Sequence, residues 1–144
     1  MKHLQYTEVE RRLRAVFPTM DVFAPTDKVF LTVDTGLIDK LTALYPARHY
    51  VTGINECEEI ARRFCTQVAD WQLDRLEYHP EDFPLDQRYS FALGEASGEL
   101  FRGQAQDHTV NIFLTEDAVM LLDMQTGTYW PAKAGEDVIF FVRM

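Results

Sequence analysis

The chain is expected to fold as an α+β protein, with a long N-capped helix beginning at Cys57 and packed on a small antiparallel sheet. Two periodicities carry that expectation. Cys57, Ile60, Ala61, Phe64, Cys65, Val68 and Trp71 recur at three- and four-residue spacing, the signature of one buried helix face. Val110, Ile112 and Leu114 alternate with Thr109, Asn111, Phe113 and Thr115, and Val119 and Leu121 alternate with Met120 and Leu122. With Thr115-Glu116-Asp117 as the turn, these two runs read as a β-hairpin. Between helix and hairpin, residues 77–88 hold two prolines and several charges and read as a loop.

The remaining elements follow from shorter signals. Residues 7–17 predict a first helix, because Thr7 and Glu10 form a capping box and Pro18 ends the run. Val29, Leu31 and Val33 alternate and predict a strand over 28–33. Residues 35–45 predict a short helix with Leu37, Ile38, Leu41 and Leu44 on one side, stopped by Pro46. Asn55, three residues before Glu58, predicts the N-cap of the main helix, which should run to about residue 73. Residues 89–93 and 98–102 predict two strands joined by a turn at Gly94-Glu-Ala-Ser-Gly98. Residues 138–142 predict a closing strand. No repeat or composition break divides the chain, so residues 1–144 are read as a single domain.

Composition narrows the function. Ten Phe, six Tyr and two Trp within a 47% hydrophobic chain supply a real core, which argues against disorder. No apolar run reaches the roughly 20 residues of a membrane helix, and the polar N-terminus lacks a secretory pattern. The expectation is a cytoplasmic protein. A net charge of −9 repels phosphate backbones and anionic lipid, which disfavours nucleic-acid binding through a basic patch. Cys57 and Cys65 would lie ~12 Å apart along one helix, beyond the ~7 Å that a disulfide allows, so both are expected as free thiols.

Three residues could form a chemical site. Cys57 falls at the start of a capped helix, where free N–H groups and the positive dipole end favour a thiolate. His108 opens one hairpin strand and Asp123 closes the other. A two-residue turn at Glu116-Asp117 sets Val110 opposite Asp123, which makes His108 and Asp123 diagonal neighbours roughly 7–8 Å apart between Cα atoms. Gln125 then lies opposite His108. A nucleophile at a helix start, a base on a strand and an orienting acid follow the Cys-His-Asp logic of papain-like enzymes.

Cys57-Glu-Glu-Ile-Ala61, Asp107-His108-Thr-Val-Asn111 and Asp123-Met-Gln125-Thr-Gly127 resemble the motifs of the protease domain at the C-terminus of Marasmius-type fungal agglutinins and its small bacterial and phage relatives. The resemblance covers roughly residues 50–130. It implies a papain-like (transglutaminase-like) fold, with Cys57 as nucleophile, His108 as base and Asp123 as orienting acid. Glu58-Glu59 stands where that family often has Asp-Asp, and Asp123-Met124 where it often has Glu-Pro. The family's lectin enzymes use calcium, but no matching acidic cluster is legible here, so no cofactor is expected.

The first expectation is therefore a cysteine hydrolase acting on a peptide or amide bond, or a transferase if an amine resolves the acyl intermediate. The partner would be a protein or peptide substrate. The alternative is a non-catalytic acidic phage or bacterial accessory protein that binds a host protein. Each residue also has a plain structural reading. Cys57 and Cys65 suit a core, His108 a backbone-bonded strand start, Asp123 a turn start and Trp130 a core plug. Trp130 is also a candidate shield for the His–acid pair, and Asn55 and Gln125 are supporting candidates. His79 and Asp82, or Asp107 and His108, make no zinc pattern, so no metal site is expected.

Overall fold

A computed structural model of the chain describes residues 1–47 and 49–144. In chain order its elements are β1 (His3–Gln5), α1 (Tyr6–Val16), β2 (Val22–Ala24), β3 (Val29–Leu31), α2 (Thr35–Leu44), α3 (Cys57–Tyr78), β4 (Leu93–Phe101), β5 (Gln104–Leu114), β6 (Val119–Asp123), β7 (Thr128–Pro131) and β8 (Val138–Arg143). Two short 3-10 turns, Pro80–Asp82 and Leu85–Gln87, occupy half of the expected loop, whose first two residues belong to α3.

The α+β class is thus observed, but the sheet is larger than expected. Six strands run in the order β2-β8-β4-β5-β6-β7, and β1 pairs separately with β3. All neighbours in the large sheet are antiparallel except β2 and β8. Both faces are covered. Val110, Ile112 and Leu114 of β5 join Leu121, Ile139 and Val142 against Val9 and Leu13 of α1. Phe113, Met120 and Leu122 join Ile38 and Leu41 of α2 and Ile60, Phe64 and Val68 of α3 on the other side. That double burial explains the near-continuous apolar run of β5 and β6.

The hairpin register agrees with the numbering argument: Asn111 pairs with Leu122 and Leu114 with Val119. The helices start slightly differently from expectation. Glu56, not Asn55, is the N-cap of α3, and α3 continues to Tyr78. Asn55 instead donates its side-chain amide to the His49 carbonyl (2.8 Å). The Thr7–Glu10 capping box is not formed; Gln5 caps α1 without a side-chain bond. In α2, Asp34 accepts from the Leu37 N–H (2.7 Å), as an N-cap should.

The expected turn at residues 94–98 is corrected. Residues 93–101 form one continuous strand, and the reversal falls at Arg102-Gly103. Gly94 and Gly98 serve close approach rather than a turn: an added Cβ would lie 2.0 Å from the Arg143 carbonyl oxygen or 2.2 Å from that of Val138. At the true turn, Arg102 has φ 50° and Gly103 φ 78°. Buried Asp137 holds this turn by accepting from the Arg102 N–H (2.9 Å), while also accepting from the Trp130 indole (3.1 Å) and the Lys133 N–H (2.9 Å).

Candidate functional site

The antiparallel pairing of β5 with β6 delivers His108 and Asp123 to the same end of the sheet. His108 Nε2 meets Asp123 Oδ2 at 3.3 Å. The side chains are 6% and 18% exposed, so this pair is shielded from bulk water. Asp123 is further tied down by the Gln125 N–H, which donates to its Oδ1 (2.9 Å). Burial pushes the Asp123 carboxyl up, but the bonds from His108 and the Gln125 N–H, with Arg102 nearby, hold it below its ordinary value. Gln125 therefore contributes through its backbone, in the turn after β6.

Cys57 is the first residue of α3, with free backbone N–H groups around it and Glu58 and Glu59 in the same turn. It is partly exposed. Cys57 and His108 line one cleft of about 490 Å³, together with Asp21, Val22, Glu58, Ser97, Gly98, Asp107, Thr109, Phe140 and Phe141. The structure thus brings the expected thiol and imidazole to one opening, with Asp123 behind the ring. Glu58 and Asp107 of the sequence motifs share this cleft, together with Asp21, Phe140 and Phe141, which the sequence reading did not single out.

The ring of His108 is covered by Phe101, edge-on at 5.6 Å between centroids. Trp130, read as a core plug and a candidate shield, packs against the core, donates to Asp137 and stacks under the Arg102 guanidinium at 4.1 Å. The signal for Phe101 was available in principle, since it closes the hairpin on which His108 sits; the misplaced turn hid it. Cys65 lies deeper in α3, its thiol pushed up to about 12 by burial first and by Glu95 second. It accepts a hydrogen bond from Asn111 Nδ2 (3.3 Å), in keeping with a structural thiol. His79, Glu81 and Asp82 gather at the surface after α3. There Asp82 pairs with Arg75 (3.2 Å) and His79 with Glu81 (3.5 Å).

No family model and no curated protein matches the chain. Solved structures do. The structure described as the PSL1a–E64 complex matches with a TM-score of 0.74 at 20% identity, over 99% of this chain and 50% of that one. Polyporus squamosus lectin bound to the human-type influenza-binding epitope Neu5Acα2-6Galβ1-4GlcNAc matches with a TM-score of 0.73 at 21% identity, over 99% of this chain and 49% of that one. This chain therefore spans about half the length of these structures. The agglutinin resemblance holds at the level of fold. The expected cysteine hydrolase, and with it the papain-like protease label, is corrected: the neighbour named by function is a lectin that holds a glycan, and no comparison supports a peptidase. The chain shares its fold with half of a fungal lectin.

Proposed function

We propose that this chain is a ligand-binding domain whose ligand enters the cleft at the N-terminus of α3, with Cys57 as the group that engages it and His108 and Asp123 as its supports. The observation that carries this reading is the meeting of the helix-terminal thiol with a carboxylate-held imidazole at one opening. The fold-sharing PSL1a structure is a complex with E64, which supports ligand binding by this fold. The cleft also sets limits on the ligand. Asp21, Glu58 and Asp107 accept from hydroxyl and amine donors and repel anions, while half-exposed Phe140 offers an apolar face.

The test is intact-mass measurement with peptide mapping after incubation with E64, an epoxide. The Cys57 sulfur bonds to an epoxide carbon, the carbon–oxygen bond opens, and the oxygen takes up the proton lost by the thiol. One adduct on Cys57, none on Cys65, and at least tenfold slower addition in His108→Ala are expected. Equal labelling of both thiols, or a rate unchanged by His108→Ala, would refute the reading.

A second reading, glycan binding without a covalent bond, is favoured by the lectin that shares the fold. The acidic cleft then selects neutral sugars. Calorimetric titration should show Galβ1-4GlcNAc binding several-fold more tightly than the sialylated epitope, and Asp107→Asn should narrow that difference. Absence of heat from both sugars would sink this second reading and leave the first standing.

A further inference from the structure

A second cavity, of about 260 Å³, opens on the middle of α3 between Cys65, Ala69 and Gln72 of the helix and Phe30, Phe91 and Leu93 of the strand layer. Ala69 lies about 18 Å along the helix from Cys57, so this cavity is separate from the cleft at the helix start. Apolar side chains make up much of its wall, joined by the polar Thr26, Thr66, Gln72 and Ser90 and by the charged Arg62, Arg143 and Glu95. Glu95, on β4, lines the cavity with a side chain only 9% exposed. Its Oε1 is buried without a hydrogen-bond partner. Arg62 Nε lies 3.3 Å from that oxygen, within ion-pair reach but out of line for a hydrogen bond, and Arg143 Nη1 stands 3.9 Å from Oε2. Both arginine side chains are more than half exposed. A buried carboxylate oxygen left without a donor costs free energy, and a donor entering from the cavity would relieve it.

We propose that this cavity binds a small neutral alcohol or phenol, whose hydroxyl donates to Glu95 Oε1 and accepts from Arg62 while its apolar body fills the space against Phe30 and Phe91. The charges select this class. An ammonium group meets two guanidinium groups, and a carboxylate meets Glu95 in a wall with little water to screen it. The volume equals about nine waters at ~30 Å³ each, which suits a molecule of about eight heavy atoms. Cys65 adds a soft, protonated wall rather than a nucleophile.

The experiment is a ¹H–¹⁵N NMR titration with 4-methylphenol, and with toluene as the probe lacking the hydroxyl. 4-Methylphenol should shift the amides of Cys65, Ala69, Gly94 and Glu95 in a saturable manner, with toluene at least tenfold weaker. Ala69→Leu, at an exposed rim position, should abolish the shifts in a chain whose spectrum stays dispersed. Glu95→Gln should weaken 4-methylphenol at least fivefold and leave toluene unchanged. Shifts confined to the Cys57 cleft, equal affinity for both probes, or an unaltered response in Ala69→Leu would each overturn the proposal.

Discussion

Gly94→Ala is the sharpest probe of the sheet. The new methyl would sit 2.0 Å from the Arg143 carbonyl oxygen, 2.8 Å from Met144 Cα and 2.9 Å from the Arg143 carbonyl carbon. All three are backbone atoms, so no rotamer change relieves the contact. To reach an ordinary separation of 3.4 Å, the end of β8 must retreat by about 1.4 Å. That end is held by pairing of Glu95 with Arg143, by the Met144 N–H on Ala24, and by the Thr26 N–H on the Met144 carbonyl (2.6 Å). Overpacking typically costs ~1–3 kcal/mol, and each ladder bond broken adds about 1 kcal/mol. A total of about 3–5 kcal/mol is expected. With roughly 2–4 °C per kcal/mol for a chain of this size, the melting temperature should fall by roughly 6–20 °C. Urea and thermal denaturation, each followed by circular dichroism, read the two quantities. Gly103→Ala is the control: nothing lies within 4 Å of its Cβ, so only the positive-φ cost of roughly 1–2 kcal/mol applies. A Gly94→Ala loss no greater than that of Gly103→Ala would refute the close-approach argument.

Three further expectations follow from buried polar groups. Because Asp123 titrates below its ordinary value, its stabilising contribution is full above about pH 4 and is lost as pH falls through the lowered value; acid unfolding of Asp123→Asn should be correspondingly less steep. Cys65, raised to about 12, contributes stability that is full below about pH 8.5 and declines as pH climbs toward 12. Iodoacetamide at pH 9 should accordingly label Cys57 at least tenfold faster than Cys65, as peptide mapping would show. Asp137→Ala strands three donors, the N–H groups of Arg102 and Lys133 and the Trp130 indole, and should destabilise by about 3–5 kcal/mol in chemical denaturation.

What was legible in the sequence was set by periodicity. The α3 stripe and the β5–β6 alternation each extend over enough residues to average out exceptions, and the hairpin count from Glu116-Asp117 placed His108 beside Asp123. The glycines misled because the same residue marks a tight turn and a close crossing of strands. Only the position of β8, which the local sequence does not encode, separates the two cases. β1, β2 and β7 were missed because strands of three or four residues carry no period, and their pairing is decided by distant partners. For the candidate site, Cys57, His108 and Asp123 could be read from type and spacing. Asp21, Phe140 and Phe141 reach the cleft through the β2–β8 pairing, which brings together two ends of the chain.

The parallel pair of β2 and β8 has one more effect. It leaves β2, with three residues, and β7, with four, as the two margins of the large sheet. Margins that short offer few unsatisfied amides to a passing strand, and Pro131 removes one more from β7. A chain rich in apolar β-sequence is thereby guarded against growing into fibrils edge to edge, and self-association, where it occurs, is directed to side-chain surfaces instead.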